Sequence, residues 1–258
     1  MKLEGQVALI TGAGRNIGRA IALAMAEEGA HVVVNGLNDL ASIQEVARII
    51  EEKGGRALPV IADVGDPDQV HQMVEQATRE LGTIDILVSN AAIRPHGPLT
   101  EISLEDWRKV MAVDLDATFF LSKEVVPGML EKGKGSIIAI SGLAAFGLRT
   151  GTVAVATAKA GIIGMMRAVA MDYADKGIRA NTIVPGNMAT ERYDQQAYVA
   201  GREPVHVGGS GTGGSEGVPM GRRGYPEELA AACVYFASDD SGYTTGQTLH
   251  VGGGLYME

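Results

Sequence analysis

Short runs of apolar, mostly β-branched residues alternate along the chain with longer segments in which apolar residues recur at helical spacing. Runs of the first kind are typical of buried strands, and segments of the second kind are typical of helices that bury one face. The predicted strands are Val7–Ile10, His31–Asn35, Ala57–Ile61, Ile84–Val88, Ser136–Ile140, Arg179–Val184 and Gln247–Val251. The predicted helices are Ile17–Glu28, Ala41–Glu52, a segment opened by Asp66-Pro67, Ser103 to about Leu130, Thr152–Ala174 and Pro226–Ala237.

This alternation predicts an α/β fold with a doubly wound, seven-stranded parallel sheet and helices on both faces. Each strand is a nearly unbroken apolar run, which indicates that both faces of the sheet are covered. No Pro- or Ser-rich linker divides the chain, so residues 1–258 are predicted to form a single domain. In such a fold, ligands bind at the carboxyl ends of the strands.

One segment, residues 187–225, has no clear periodicity and is rich in glycine. Long segments without secondary structure inside a compact domain are usually functional loops or disordered ones. Because this segment follows the carboxyl end of a strand, we predict that it is a lid over the substrate. An insertion without a role is the alternative.

Composition and charge limit the classes of function that the chain could have. Apolar residues make up 46% of the chain and charged residues 21%, and the net charge is −9. A negative chain is a poor partner for nucleic acid or an anionic membrane, so we expect a small-molecule substrate instead. Cys233 is the only cysteine, which excludes an internal disulfide and a cysteine-rich metal site, and we expect no metal. The absence of a signal-like N-terminus and of any uninterrupted apolar window of about 18 residues predicts a cytoplasmic protein.

A glycine-rich turn, Thr11–Gly18, joins the first predicted strand to the first predicted helix. Glycine permits a tight turn and a close approach of the backbone to a pyrophosphate, and a helix N-terminus attracts the negative charge. Its position at the start of a βαβ unit makes it a dinucleotide site rather than a plain turn. The residues predicted to bind the dinucleotide here are Gly12, Arg15, Asn16, Ile17 and Gly18.

The turn resembles the T-G-x-x-x-G-I-G signature of the short-chain dehydrogenase/reductases, a family with a Rossmann fold, and further motifs follow in order. They are Asp63-Val64, Asn90-Ala91-Ala92, Ser141, Pro185-Gly186 with Thr190, Thr245-Gly246-Gln247 and Val251–Gly254. The resemblance implies an adenine contact at Asp63 and Val64, a cofactor contact at Asn90 and Ala91, and a nicotinamide loop formed by Pro185, Gly186, Met188 and Thr190. The chain departs from the family at Asn16, which replaces a glycine and tolerates left-handed backbone, at Ala92, and at Gly252, which stands in place of an aspartate.

The end of the second strand bears on the choice of cofactor. A carboxylate there would bind the ribose 2′-hydroxyl of NAD(H) and repel a 2′-phosphate, but none occurs before Asp39. Arg15 offers a guanidinium that could pair with the phosphate. No second basic residue lies near Leu37, and Arg15 as a solvated turn residue is the alternative. The balance favours NADP(H) over NAD(H).

The resemblance also implies four catalytic positions, of which two are unchanged. Ser141 would orient the substrate oxygen, and Lys159 would hold the ribose of the cofactor. Val155 stands where the family has its proton-donating tyrosine, four residues before Lys159, and Asp114 stands at the asparagine position. Valine carries no exchangeable proton, so Val155 removes the general acid. We expect Asp114 to be ionised and paired with a neighbouring cation.

Several explanations of Val155 stay open at the level of sequence. Another side chain could supply the proton, and the candidates are Tyr193, Tyr198, His206, His96 and Asp114. His96 and Tyr193 are also predicted substrate contacts. The chain could instead bind its cofactor without redox turnover, as a sensor or an inactive partner, or act as a lyase or isomerase.

The resemblance finally implies a homo-oligomer, a dimer of dimers. Its interface would be formed by the helices predicted at Ser103–Leu130 and Thr152–Ala174. The second helix contains several small residues that allow close approach of another helix, but packing inside the monomer needs the same residues.

Overall fold

The predicted strands form one parallel sheet. The computed structural model describes residues 1–148, 150–190 and 217–257, and its strands run in the order β3-β2-β1-β4-β5-β6-β7. They are β1 (Val7–Ile10), β2 (His31–Gly36), β3 (Ala57–Ile61), β4 (Ile86–Ser89), β5 (Gly135–Ile140), β6 (Ile178–Pro185) and β7 (Thr248–Val251). All neighbouring pairs are parallel. The predicted α/β class and the doubly wound parallel sheet are confirmed.

The helices lie close to the predicted positions. They are α1 (Asn16–Glu27), α2 (Leu40–Glu52), α3 (Pro67–Leu81), α4 (Leu104–Met111), α5 (Ala117–Lys132), α6 (Val153–Tyr173) and α7 (Pro226–Ala237). Asp66 caps α3 by accepting from the backbone N–H groups of Asp68 and Gln69, as the Asp-Pro pair predicts. The long helical region predicted from Ser103 to about Leu130 is present and consists of α4, a π-helical turn at Ala112–Asp116 and α5.

Two hydrophobic cores lie on the two faces of the sheet. Helices α1, α2 and α7 cover one face, and α3, α5 and α6 cover the other. β2 and then β3 lie on one side of β1, and β4 lies on the other side of β1. This reversal opens a crevice at the carboxyl ends of β1 and β4, which is where such folds bind ligands.

Helix α6 is long and apolar. Among the described residues, one helical stretch, Val153–Lys176, is long and apolar enough to cross a membrane by length and composition alone. The core helix of a globular protein meets the same criterion, and Ala158, Ile162 and Met166 of α6 are buried between the sheet and its neighbours. Packing in the core therefore accounts for the apolar character of α6.

Candidate functional site

The glycine turn after β1 has the backbone that its sequence predicts. Gly12 and Asn16 both lie in the left-handed region, with φ of 62° and 52°. Among the described non-glycine residues, Asn16 is alone in this conformation, which confirms that asparagine replaces glycine there. A Cβ at Gly18 would lie 2.2 Å from the carbonyl oxygen of Gly12, so α1 starts this close to the turn only because residue 18 is glycine.

The N-terminus of α1 is arranged to receive an anion. Arg15 is exposed at the N-cap position, and no side chain caps the first N–H groups of the helix. The first turn of α1 also has no acidic residue. Uncapped N–H groups at a helix N-terminus, next to a glycine cradle that a Cβ would fill, fit the phosphates of a dinucleotide. Gly12, Arg15, Asn16, Ile17 and Gly18 are the residues that would hold them.

Asn90, at the end of β4, fastens the glycine turn to the sheet. Its side-chain amide donates to the carbonyl oxygens of Thr11 (2.8 Å) and Gly12 (3.3 Å). The hydroxyl of Thr11 in turn accepts from the backbone N–H groups of Asn90 and Ala91. The predicted cofactor contacts Asn90 and Ala91 therefore lie directly against the turn, and Asn90 also shapes it.

Asn35 is a structural residue of this site that the sequence analysis missed. It is buried at the end of β2, where its Oδ1 accepts from Gly12 N–H (3.4 Å) and its Nδ2 donates to the carbonyl oxygens of Val60 and Ala62. One side chain thus connects β2, the glycine turn and the end of β3. A polar residue closing an otherwise apolar strand was the signal that could have found it.

β2 ends at Gly36, which carries no carboxylate. A Cβ at Gly36 would lie 2.8 Å from Cγ2 of Ile43, so a side chain at this position would have to displace Ile43 of α2. Asp39, the first carboxylate after the strand, accepts from Ser42 N–H and caps α2. Leu37 is exposed.

Asp63 and Val64 follow β3 at the same edge of the sheet. The carboxylate of Asp63 accepts from Gly65 N–H (2.9 Å), which shapes the loop, and Val64 is buried. A dinucleotide base would contact the backbone and the outer surface of this loop.

A second part of the site is a pocket that joins the glycine turn to α6. Its lining comes from five parts of the chain that meet beyond the carboxyl ends of β4, β5 and β6. The lining residues are Ile17, Arg94, His96, Ser141, Gly142, Leu143, Ala144, Thr152, Val155, Lys159, Pro185, Gly186, Met188 and Thr190. The predicted catalytic residues Ser141, Val155 and Lys159, the nicotinamide loop and His96 are therefore brought together, whereas Arg94, Thr152 and the turn after Ser141 were not predicted.

Ser141 is fully buried at the end of β5. Its hydroxyl donates to the backbone carbonyl oxygen of Lys159 at 2.8 Å. In this conformation the proton of the hydroxyl is engaged with α6. To donate a hydrogen bond to a substrate oxygen, the Ser141 hydroxyl must give up its hydrogen bond to the carbonyl oxygen of Lys159.

Lys159 and Asp114 form a buried ion pair behind the pocket. The Lys159 Nζ lies 3.3 Å from Asp114 Oδ2, and the side chains are 3% and 0% exposed. Nζ also donates to the carbonyl oxygen of Ile140, and Asp114 Oδ1 accepts from Ile93 N–H at 2.7 Å. Burial lowers the pKa of Lys159 below its ordinary value, Asp114 opposes this decrease, and the charge of Arg94 adds to it. The expected pairing of Asp114 with a cation is present, and Lys159 is the cation.

Val155 lies one helical turn before Lys159, on the same face of α6. It is buried against Val110, Ala144 and Ala158 and contributes an apolar wall to the pocket. Where the resemblance implies a phenol, this pocket therefore presents methyl groups.

The loop after β6 closes the opposite side of the pocket. A Cβ at Gly186 would lie 2.4 Å from the Cα of Gly252, so the ends of β6 and β7 approach as closely as two glycines allow. The two described ends of the predicted lid are joined, since Ala189 N–H donates to the carbonyl oxygen of Gly224. Tyr193, Tyr198 and His206 lie outside the described residues.

Comparison with known proteins agrees with this geometry. Residues 12–256 match a family described as enoyl-(acyl carrier protein) reductase. The chain is 34% identical to the 3-oxoacyl-(acyl-carrier-protein) reductase FabG of Thermotoga maritima, covering 100% of both chains, and 35% identical to glucose 1-dehydrogenase 2 of Bacillus subtilis, covering 99% of this chain and 96% of the other.

A solved structure is also similar over nearly the whole length. It is a Beutenbergia cavernae protein named as an NAD(P)-dependent gluconate 5-dehydrogenase, with NADP bound at low occupancy. It has a TM-score of 0.84 and 35% identity, and 98% of each chain is covered. Fold, ordered motifs and full-length relatives together show that this chain belongs to the short-chain dehydrogenase/reductase family of NAD(P)-dependent oxidoreductases.

Proposed function

We propose that the chain is an NADP(H)-dependent oxidoreductase that interconverts a carbonyl compound and an alcohol. The observation that carries the proposal is the pocket, where Ile17 of the glycine turn meets Ser141 and Lys159. The bound cofactor would supply the hydride. The residues of the chain have to hold that cofactor, orient the substrate oxygen and transfer one proton.

The ammonium of Lys159 would hold the hydroxyls of the cofactor ribose. Its position is set by Asp114 and by the carbonyl oxygen of Ile140, so little reorganisation is needed when a ligand arrives. Ser141, which lines the pocket, would turn its hydroxyl from the carbonyl oxygen of Lys159 to the substrate oxygen.

Val155 alters the proton-transfer step. With no phenol at position 155, the protonated group that the pocket offers one helical turn away is Lys159, and burial lowers its pKa below its ordinary value. In the proposed step an N–H bond of the Lys159 ammonium breaks and an O–H bond forms on the substrate alkoxide. The neutral amine takes up a proton from solvent after the product leaves.

The preference for NADP(H) is supported by Arg15 and by Gly36, where the strand carries no carboxylate and a side chain would press on Ile43. Arg15→Gln is expected to weaken NADPH binding about 10-fold and to change NADH binding little, because only NADPH carries the 2′-phosphate. Titration of both cofactors by nucleotide fluorescence measures the difference. Equal losses for the two cofactors would contradict a phosphate contact at Arg15.

Restoring the tyrosine tests the altered proton transfer. Val155→Tyr places a phenol one turn before Lys159, and we expect the rate of carbonyl reduction by NADPH to rise about 10²-fold or more, the usual contribution of a general acid. Stopped-flow absorbance over a broad panel of carbonyl compounds measures hydride transfer directly. Val153→Tyr is the matched control, because it adds the same phenol two residues earlier, on a different side of α6.

The same experiment tests a second candidate function, which is cofactor binding without redox turnover. The observation that favours it is that Val155 presents methyl groups to the pocket. A protein that binds its cofactor without redox turnover would bind NADPH, and neither the parent chain nor Val155→Tyr would consume it with any compound of the panel. A gain in the Val153→Tyr control equal to that of Val155→Tyr would contradict the assignment of position 155.

A further inference from the structure

The segment after β7, Gly252–Tyr256, supports the pocket without belonging to its described lining. It begins at Gly252, which is in close contact with Gly186 of the pocket wall. It ends at Tyr256, whose ring stacks on that of Phe146 with centroids 4.4 Å apart and 29° between the planes. The segment therefore reaches two of the chain sections that contribute to the lining, which are the loop after β6 and the turn after β5.

The turn after β5 is a short 3₁₀-helical turn, Leu143–Phe146, and its first two residues line the pocket. Its backbone is closed by hydrogen bonds from Ala145 N–H to the carbonyl oxygen of Gly142 (3.0 Å) and from Gly147 N–H to that of Ala144 (3.1 Å). A turn of this length has too few backbone hydrogen bonds to be rigid by itself. Contacts made by its side chains therefore help to determine how firmly this wall of the pocket is held.

Three aromatic rings form the contact between the segment and the turn. The ring of His250, in β7, has its centroid 5.0 Å from those of both Phe146 and Tyr256, with the planes tilted by 53° and 39°. Aromatic pairs at these separations contribute stability beyond the area that they bury. Because His250 belongs to the sheet, the three rings connect the turn to a rigid strand.

The same segment is packed against the residues before α7. Met220 N–H donates to the carbonyl oxygen of Gly253 at 3.1 Å. A Cβ at Gly253 would lie 2.8 Å from Cγ1 of Val218. A Cβ at Gly254 would lie 2.9 Å from Cγ of Pro219, and both glycines have positive φ. Space and backbone conformation both require glycine here, so the segment presents its aromatic ring to the turn from a well-defined backbone.

From these contacts we infer that Tyr256 is a positioning residue for the proposed reaction: its ring holds the turn Leu143–Phe146 in place as a wall of the substrate pocket. The inference rests on the proposed function, and Tyr256 acts through Phe146. A wall that is fixed before the ligand arrives lowers the ordering cost of binding, so loss of the ring should weaken binding of the carbonyl compound. Binding of NADPH should not change, because the glycine turn after β1 is held by Asn35 and Asn90.

Hydrogen exchange followed by mass spectrometry tests the contact in the free chain, with no substrate. Tyr256→Ala is expected to speed exchange at the amides of Ala145 and Gly147 about 10-fold, because the aromatic contact that opposes local opening of the turn is lost. Tyr256→Phe keeps the ring and should leave this exchange at the parent rate.

Two controls accompany the exchange measurement. Tyr243→Ala removes a fully exposed ring of the same kind and should leave the turn after β5 unchanged. The amides of Lys53 and Gly54, which close the turn after α2, should exchange at the parent rate in every variant. The inference is overturned if Tyr256→Ala leaves exchange at Ala145 and Gly147 unchanged, or if it speeds exchange equally in the turn after α2.

Steady-state kinetics then test the link to the reaction, with the carbonyl compound that the parent chain reduces fastest. Tyr256→Ala should raise KM for this compound roughly 5-fold, leave the dissociation constant of NADPH unchanged, and be rescued by Tyr256→Phe. An unchanged KM, or an equal weakening of NADPH binding, would contradict the positioning role. Failure of the proposed function would look different: the parent chain would reduce no compound, and hydrogen exchange would still decide whether Tyr256 holds the turn.

Discussion

At the scale of single residues, Asp114 connects two parts of the site. Its two carboxylate oxygens serve different partners: Oδ1 holds the loop that bears Arg94, and Oδ2 faces the ammonium of Lys159. No described group donates a hydrogen bond to Oδ2, so its contact with Lys159 is ionic. Asp114 therefore connects the loop after β4 to Lys159.

The variant Asp114→Asn can keep the bond from Ile93 but removes the charge beside Lys159. Loss of one partner of a buried ion pair typically costs about 3–5 kcal/mol, so we expect the free energy of unfolding at neutral pH to fall by about 3 kcal/mol. Burial lowers the pKa of folded Lys159 below the unfolded value of 10.5, and Asp114 limits that decrease. Without Asp114 the folded pKa drops further and the amine becomes neutral at lower pH. The cost of the substitution should therefore shrink as pH rises.

Urea unfolding of both chains at a series of pH values measures this trend. Asp240→Asn is the control, because it breaks the exposed ion pair with Lys2 and should change stability by less than about 1 kcal/mol at every pH. A cost of Asp114→Asn that is constant between neutral and alkaline pH would mean that its charge does not act on Lys159.

Single residues also mark the limit of prediction from sequence. Asn16 and Asp66 were predictable, because left-handed backbone and helix capping are local properties. Asn35 was not, because its role depends on segments that are distant in sequence: it contacts Gly12 and the end of β3.

At the scale of elements, the π-helical turn between α4 and α5 is a feature that the hydrophobic pattern does not show. Hydrophobic periodicity predicts a long helical region from Ser103 to about Leu130, and a single wide turn at Ala112–Asp116 barely disturbs the spacing of apolar residues. Turns of this kind occur frequently at functional sites. Here the wide turn contains Asp114, the buried partner of Lys159.

Helix α6 offers a test of how its glycines are packed. A Cβ at Gly164 would meet nothing within 4 Å, whereas a Cβ at Gly161 would lie 3.1 Å from a methyl group of Leu115. Because glycine inside a helix costs roughly 0.5–1 kcal/mol relative to alanine, Gly164→Ala should raise the free energy of unfolding by about that amount. Gly161→Ala should gain less, since Leu115 has to move. Chemical denaturation of the two variants measures the difference, and an equal gain in both would contradict the packing at Leu115.

At the scale of the whole molecule, the sheet and its helices were predictable because each strand is apolar throughout and each helix covers one face. The handedness of the crossovers predicted a doubly wound sheet, and the strand order is that of such a sheet. The lid predicted at residues 187–225 was the part that the sequence pattern left least defined. Only its two ends, which pair between Ala189 and Gly224, belong to the described residues.

The assembly is the remaining property of the whole molecule, and we propose the dimer of dimers that the family resemblance implies. Large apolar side chains are exposed on the helices expected at the interface, among them Phe119 on α5 (52%) and Met171 on α6 (83%). Burying such side chains against a second copy would stabilise the assembly, and a carboxylate in their place would oppose it. We therefore expect the parent chain to sediment as a tetramer and Phe119→Asp to sediment as a smaller species. Leu40→Asp, which alters an exposed leucine on α2, should leave the tetramer intact. A monomeric parent, or equal dissociation of both variants, would contradict an interface at α5 and α6.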